Sequence, residues 1–424
     1  MRRRKAARRT WDEYGTPSTF RSSPTRIGRI ARAGVWVASC AVLAVTGTGW
    51  AAYHSLAAGL NTSDALTTLS GSGPQHHDDS VNVLLMGLDS RKDMNGNDLP
   101  KQFVQDELHA GSSDIGYYNT NTLILLHIPA GGGRVQAFSI PRDDYVKTYN
   151  GDGSAQGDYK IKEAYGRAYS AMHDQLAAKG ITGADLEGRS REAGREATLQ
   201  TVRNFLNVPV DHFAEVNLLG FYDLAKVIQP VTVCLNHPVN DRYSGADFPA
   251  GVSRLNAAQA LAFVRQRHGL TGGDLDRTHR QQAFLLSVIH QLRSQGLWND
   301  LGKLNGLLGV AKKDLVLDAH WNVLDFVQHA SGLTSGNVVF RTLPITGFAN
   351  RNGEAVNLVD TGQVQKIVRE AFENGPRGPQ ASGGPSGAPG SGNTSARPQG
   401  SRGTPAQDSG SGRAVQSDGV PCVD

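Results

Sequence analysis

Between Ala262 and Gln282 the chain reads AFVRQRHGLTGGDLDRTHRQQ, gathering four arginines, two histidines and two aspartates around one Gly-rich turn. Guanidinium groups are planar, permanently charged forks matched to phosphate or pyrophosphate, so this density of cations beside an apolar helix points to an anion site. On a helix starting near Arg277, residues Phe284, Leu285, Val288, Ile289 and Leu292 form one stripe. Arg277 and Gln281 fall inside that stripe and Arg280 at its edge. Asp274, following Gly272 and Gly273, stands where an N-cap belongs, and the helix N-terminus adds oriented N–H groups and partial positive charge. Upstream, Asn256 to Phe263 is predicted as a short helix. Arg265 and Arg267, two residues apart, share one side only if the chain is extended there. Solvated helix pairs such as Asp276 to Arg280 account for part of the charge. They do not account for arginines on a core-facing stripe, which need an anion.

The elements that must position these residues lie mostly upstream. Three apolar runs, Val81 to Leu85, Thr122 to Ile128 and Arg134 to Ile140, are strand-length and apolar on both faces, as in a sheet covered by helices. PAGGG, Pro129 to Gly133, suits a hairpin between the second and third. An antiparallel pair then brings Asn121 and Arg142 to one sheet edge. The first strand ends in GLDSR, Gly87 to Arg91, and reaches the same edge if it too runs against its neighbour. The long polar segment from Arg91 to Asn119 is predicted as a functional flap. Lys160 to Ala171, Gly194 to Leu206 and Gln363 to Phe372 are predicted helices; Val231 to Leu235 and Asn337 to Leu343 are predicted strands. The pattern is α/β, with helices on both faces of a sheet.

The ends of the 424-residue chain have a different character. Residues 1–32 hold ten Lys and Arg against Asp12 and Glu13, whereas the whole chain carries only +4, so the basic balance belongs to one tail. That tail gives no reason to expect a nucleic-acid-binding body. Residues 33–53 run without a charge for about the length of a membrane span. An uncleaved anchor with a cytoplasmic N-terminus places everything beyond Tyr53 outside the cytoplasm; a cleaved signal peptide is the rival reading. Residues 54–79 form a polar connector whose His76, His77, Asp78 and Asp79 suit either a solvated linker or a metal site. Residues 80–373 form the predicted ordered domain, and 374–424 a Gly-, Pro- and Ser-rich disordered tail. Outside the membrane run only Cys234 and Cys422 remain, and an oxidising compartment permits a bridge between them.

Taken in order, VNVLLMGLDSR, NTLILLHI, FSIPRDDYV, KIKEAYGRA, ALAFVRQRH and GDLDRTHRQQ resemble the LytR-CpsA-Psr family of bacterial cell-wall proteins, over about residues 81 to 295. The resemblance implies an extracytoplasmic α/β/α domain with a central mixed sheet and a hydrophobic tunnel for a polyprenyl chain, behind one transmembrane helix. It implies a phosphotransferase that moves a glycopolymer from a polyprenyl-pyrophosphate carrier to peptidoglycan, with Mg²⁺, replaceable by Mn²⁺, on the pyrophosphate. Matched position by position, it gives Arg142, Lys162, Arg265, Arg267, Arg277 and Gln281 as lipid-pyrophosphate ligands and Asp89 as the principal metal aspartate. Arg91 and Asp143 belong to the same motifs. Asp143 is expected to orient Arg142, and Asp274 to cap the helix or orient Arg277, with Arg280 in support.

One departure concerns the metal. Many members carry Arg-Ser-Asp-Thr entering the second strand, where this chain has Asn119-Thr120-Asn121-Thr122. The second metal ligand is then either the neutral oxygen of Asn121 or Asp114 of the flap. A non-catalytic lipid-binding or regulatory membrane protein is the alternative function. Lipid binding alone, however, does not call for so many convergent arginines beside a metal-type aspartate.

Overall fold

The computed structural model describes residues 59–69, 73–76, 78–111, 118–130, 133–270, 272–294, 301–322, 337–373, 415–416 and 420–424. The expected cytoplasmic tail and membrane span, 1–53, lie outside the described residues. Among those described, no helix is long and apolar enough to cross a membrane.

Eight strands form the central sheet: β1 (Asn61–Ser63), β2 (Val81–Leu88), β3 (Thr120–Ile128), β4 (Val135–Ile140), β7 (His212–Val216), β12 (Leu315–Asp318), β13 (Val338–Thr342) and β16 (Val415–Gln416). Their order is β1-β12-β7-β2-β3-β4-β13-β16. The smaller strands are β5 (Tyr145–Tyr149), β6 (Ala155–Lys160), β8 (Val231–Leu235), β9 (Val239–Asp241), β10 (Ala246–Phe248), β11 (Gly251–Leu255), β14 (Gly347–Arg351), β15 (Glu354–Leu358) and β17 (Cys422–Val423). The helices are α1 (Glu163–Ala178), α2 (Gly183–Leu206), α3 (Leu218–Ile228), α4 (Ala257–Arg265), α5 (Asp274–Ser294), α6 (Leu301–Asp314) and α7 (Thr361–Glu373).

The sheet is mixed: β3 runs antiparallel to both β2 and β4, while β7 and β13 run parallel to β2 and β4. The expected hairpin is therefore formed. The ends of β2, β4, β7 and β13 meet the start of β3 at one rim.

Alternation along the strands explains why both faces are covered. Leu84, Met86, Leu123, Leu125 and Phe138 pack on Leu199 and Val202 of α2 and Val364 and Val368 of α7. Val83, Ile124, Leu126 and Ala137 point the other way, onto Leu285, Leu286 and Ile289 of α5. Of the stripe predicted for α5, Leu285 and Ile289 meet the sheet, whereas Phe284, Val288 and Leu292 pack on the α3–α4 side, and Leu286, outside the stripe, joins the sheet contact.

Several boundaries differ from the sequence expectation: the helix expected from Lys160 to Ala171 runs Glu163–Ala178, with Lys160 closing β6. Residues 61–63, in the stretch read as a connector, pair parallel with β12. Next to them, the Ser63 hydroxyl bonds the Glu192 carboxylate. Helix α2 begins at Gly183 rather than Gly194, its polar first turns giving no apolar period to read. In the stretch read as a disordered tail, β17 adds parallel to β8, and Cys422 is disulfide-bonded to Cys234. A covalent link anchors a strand that its own side chains are too few to hold.

At the edge of the α2–α7 layer, His127 stacks on Phe372, with ring centroids 3.7 Å apart, and its Nδ1 lies 2.9 Å from Asn82 Oδ1. Burial pushes the imidazole down to about 4. The folded state therefore keeps the ring neutral over a range in which the unfolded chain, titrating near 6.5, already binds the proton. Stability is lost as pH falls through that window, by up to about 3 kcal/mol at the bottom of it. His127→Gln is expected to flatten this acid limb in a series of thermal melts from pH 7 to 4.

Candidate functional site

The rim gathers the predicted residues because of strand register. Gly87 of β2 pairs with Thr122, and Leu123 of β3 with Ile140 of β4, so Asp89, Asn121 and Arg142 emerge side by side. Helix α5 starts opposite them, and Asp274 joins the two sides. One of its oxygens lies 3.0 Å from Arg142 Nε and 2.8 Å from Arg277 Nη2. Asp274 is thus inside the helix, in its first turn, holding two guanidinium groups rather than capping. Asp276 takes the cap-like role instead, accepting from the Gly272 N–H at 2.6 Å.

Beneath this rim lies a cavity of about 610 Å³, within the range of ordinary ligand pockets. Its walls are apolar: Leu85 and Ile124 of the sheet, Phe221 and Ile228 of α3, and Phe284 and Val288 of α5 all line it. Its mouth is cationic. Asp89, Arg91, Asn121, Arg142, Arg265, Arg267, Arg277 and Gln281 line that end, so eight predicted site residues come together at one opening.

Four others stand behind it. Lys162 Nζ lies 2.7 Å from Asp143 Oδ1, whereas Arg142 is 3.5 Å from the same carboxylate. Asp143 therefore positions mainly Lys162, and Asp274 takes the role expected of Asp143 towards Arg142. Lys162 does not line the cavity itself. Arg280 points away from the mouth, donating to the Asp424 carbonyl at 2.5 Å and to Gln266 Oε1.

Two arginines hold the flap. Arg265 Nη1 donates to the Leu108 carbonyl at 2.5 Å, and Arg91 Nε to the Ala110 carbonyl at 2.6 Å. Leu99, Val104, Leu108 and Ala110 are buried in the core on the α3–α4 side, so this half of the flap is packed against the body of the domain. Asp114, the alternative second metal ligand, lies outside the described residues.

Electrostatics favour an anion at the mouth. Burial first, and then neighbouring Arg142, press the Arg277 guanidinium down to about 10, against the opposing effect of Asp274. Arg277 still remains protonated at neutral pH, and among the described residues its buried Nε has no hydrogen-bond acceptor. Burial lowers Arg265 as well, and burial followed by Arg142 lowers Lys162. Burial works to raise the Asp143 carboxyl, but Arg142 and Lys162 outweigh it and hold it low. Among the described residues, the six cations Arg91, Arg142, Lys162, Arg265, Arg267 and Arg277 have four carboxylates around them, Asp89, Asp143, Asp241 and Asp274, an excess of positive charge. A diphosphate would relieve that excess of charge and supply the missing acceptor for Arg277.

Asp144 was not legible as a rim residue. It is fully buried, and burial holds its carboxyl well above the usual carboxylate range. Its Oδ1 accepts from Asn357 Nδ2 at 3.0 Å, while the Asn357 N–H donates to the Asp143 carbonyl at 2.9 Å. The β14–β15 hairpin is thereby fastened to the turn that carries Arg142 and Asp143. The repeated aspartates in PRDDY are the only sequence sign of it.

For a metal, the oxygens are few. Among the described residues no cluster of three or more His, Cys, Asp or Glu side chains is placed to hold an ion. Asp89 Oδ2 accepts from Asn121 Nδ2 at 2.9 Å, and Asp89 Oδ1 sits 3.3 Å from Arg91 Nη1. One carboxylate and one amide oxygen fit Mg²⁺, which commonly takes one or two carboxylates and completes its shell with water and substrate phosphates.

The model of the LytR_cpsA_psr family matches residues 41–373. The chain is 35% identical over 371 residues to the cell wall biosynthesis protein LcpA of Corynebacterium glutamicum, covering 86% of this chain and 70% of that protein. It is 26% identical over 289 residues to a polyisoprenyl-teichoic acid--peptidoglycan teichoic acid transferase, TagU of Halalkalibacterium halodurans, covering 65% of this chain and 78% of the relative. Among solved structures, protein gbs0355 of Streptococcus agalactiae shares the fold with a TM-score of 0.50 and 19% identity, over 69% of this chain and 88% of that one.

Proposed function

The chain belongs to the LytR-CpsA-Psr family, and from that premise we propose that it is a cell-wall transferase that moves a glycopolymer from a polyprenyl-pyrophosphate carrier to peptidoglycan. The observation that carries the reading is the pairing of an apolar cavity with a cationic mouth whose buried Arg277 Nε has no acceptor among the described residues. A polyprenyl chain fits the first and a diphosphate the second. The names of the LcpA and TagU relatives, which speak of cell wall biosynthesis and of transfer to peptidoglycan, support the same direction.

In this reading the lipid lies between the sheet and α5, and Arg142, Arg265, Arg267 and Arg277 bind the two phosphates. An acceptor hydroxyl of peptidoglycan attacks the phosphorus that carries the glycopolymer. The bond from that phosphorus to the bridging oxygen breaks, polyprenyl monophosphate leaves, and the hydroxyl proton is lost to water at the open rim. A transition state of this kind needs alignment and charge neutralisation more than covalent help from the protein, and fixed guanidinium groups supply both. Mg²⁺ held by Asp89 and Asn121 would neutralise further charge on the diphosphate. When no acceptor is present, water takes its place and the same site acts as a pyrophosphatase. With the run 33–53 as an anchor, the domain works outside the cytoplasm, beside the membrane that holds its donor.

The test is transfer itself. The purified chain, given a polyprenyl-pyrophosphate-linked saccharide and peptidoglycan, is expected to attach the saccharide covalently to the wall and release polyprenyl monophosphate. Lipid binding without either product would support the regulatory alternative.

Because Asn121 offers only a neutral oxygen, the metal requirement is expected to be weak. Asn121→Asp should tighten it, lowering the Mg²⁺ concentration for half-maximal phosphate release by about tenfold, equivalent to the roughly 1.4 kcal/mol of one added ionic contact. An unchanged Mg²⁺ titration would show that Asn121 is not a ligand.

A further inference from the structure

Tyr243, Val252 and Phe348 are strongly exposed large apolar side chains among the described residues, and of these three only Tyr243 lines the cavity mouth. Its ring, 75% exposed, faces the imidazole of His268 with centroids 4.2 Å apart and planes inclined by 32°. His268 follows directly on Arg267, so the aromatic pair stands next to the cationic mouth and on its solvent side.

The pair is held in place from below. Asp241, almost fully buried at the end of β9, accepts from the Tyr243 N–H at 2.9 Å and from the Ser244 hydroxyl at 2.9 Å. The Arg267 N–H approaches the same carboxylate at 3.4 Å, and His268 Nδ1 lies 3.5 Å from it. One carboxylate thus ties the β9–β10 turn to the segment carrying Arg267 and His268. Burial works to raise the Asp241 carboxyl, but these donors outweigh it and keep it low. Gln266 Nε2 donates to the His268 carbonyl at 3.0 Å, and Arg280 donates to the Gln266 oxygen. Gly245 closes the turn with φ +76°, and a β-carbon there would meet the His109 ring of the flap at 2.5 Å. Two supports and a close backbone contact fix an aromatic face that covers no core.

We infer that Tyr243 and His268 form a stacking platform for a pyranose ring, the first sugar attached to the outer phosphate of the donor. The inference rests on the transferase reading above. An aromatic face carries partial negative charge and attracts the polarised C–H bonds on the flatter side of a sugar. The Tyr243 hydroxyl and the second imidazole nitrogen offer hydrogen bonds around its edge. A diphosphate held by Arg265, Arg267 and Arg277 places its outer substituent on the side away from the cavity, where this pair stands.

The test compares wild type and Tyr243→Ala on two probes, N-acetylglucosaminyl farnesyl pyrophosphate and farnesyl pyrophosphate. On the sugar-bearing probe, KM is expected to rise about tenfold, the size of one aromatic contact. Phosphate release from farnesyl pyrophosphate should be unchanged, and Tyr243→Phe should recover most of the loss. Equal effects on both probes, or none on either, overturn the assignment. So does an effect confined to the KM for peptidoglycan, which would move the platform to the acceptor side. Should wild type turn over neither probe, the transferase reading fails first; turnover of both with no change in the variant removes only the platform.

Discussion

Arg142→Ala is expected to lower phosphate release from a polyprenyl pyrophosphate by about 10³-fold, the lower end of what a transition-state arginine contributes in phosphoryl transfer. Arg142 is nearly buried at the end of β4, 3.0 Å from the Asp274 carboxylate that also holds Arg277. Removing it deletes one charge from the proposed diphosphate site and frees Asp274 to neutralise Arg277 fully, so two cations are weakened by one substitution. Arg142→Lys should recover little, since an ammonium cannot reproduce the planar fork. Asp106→Ala, on the exposed outer side of the flap, serves as the control and should keep wild-type activity. The melting temperature of Arg142→Ala decides how an activity loss is understood: a stable, inactive protein supports the assignment, whereas wild-type activity would remove Arg142 from the site.

Glu215→Gln should be the most damaging single change to stability, costing about 3–5 kcal/mol. Glu215 is fully buried in β7 and receives Arg195 Nε at 2.8 Å, Arg191 Nη2 at 3.3 Å and the Tyr165 hydroxyl at 3.1 Å. Burial alone would raise its carboxyl, but Arg195 and Arg191 hold it below the usual carboxylate range. Neutralising it leaves two guanidinium groups in the protein interior with no equally buried anion. The melting temperature should fall by on the order of 10 °C for a domain of this size. The damage reaches the site, because Arg191 Nη1 also donates to the Met94 carbonyl at 3.2 Å and so holds the start of the flap. Replacing Glu215, Arg191 and Arg195 together by apolar residues of similar volume should restore much of the lost stability. A drop below about 1 kcal/mol in Glu215→Gln would mean that the cluster is hydrated and not the buried triad described.

What was legible in the sequence was whatever depends on local period. The two-sided apolar strands fixed the hairpin and therefore the meeting of Asp89, Asn121 and Arg142, and the α5 stripe turned Arg277 and Gln281 inward. Pairings between distant charges carry no such period. Nothing in the chain says that Lys162 answers Asp143, or that Asp274 and not Asp143 serves Arg142. Arg265 looked like an open ligand until its bond to the Leu108 carbonyl showed that it also holds the flap. Glu215 with Arg191 and Arg195, and Asp144 with Asn357, look like surface polar residues in sequence, because burial is a property of the assembled layers. The tail strand β17 was missed for a related reason: two residues held by one disulfide leave no hydropathy signal.

The most direct test is what the full chain carries when it is purified from the cells that produce it. Native mass spectrometry of the full chain in mild detergent should show a polyprenyl phosphate or pyrophosphate bound one to one. That adduct should be lost in Arg142→Ala and Arg277→Ala, which keep the cavity but remove the mouth. A protein that emerges without lipid, or one whose lipid is held equally well by both variants, would contradict a pyrophosphate site at the head of the cavity.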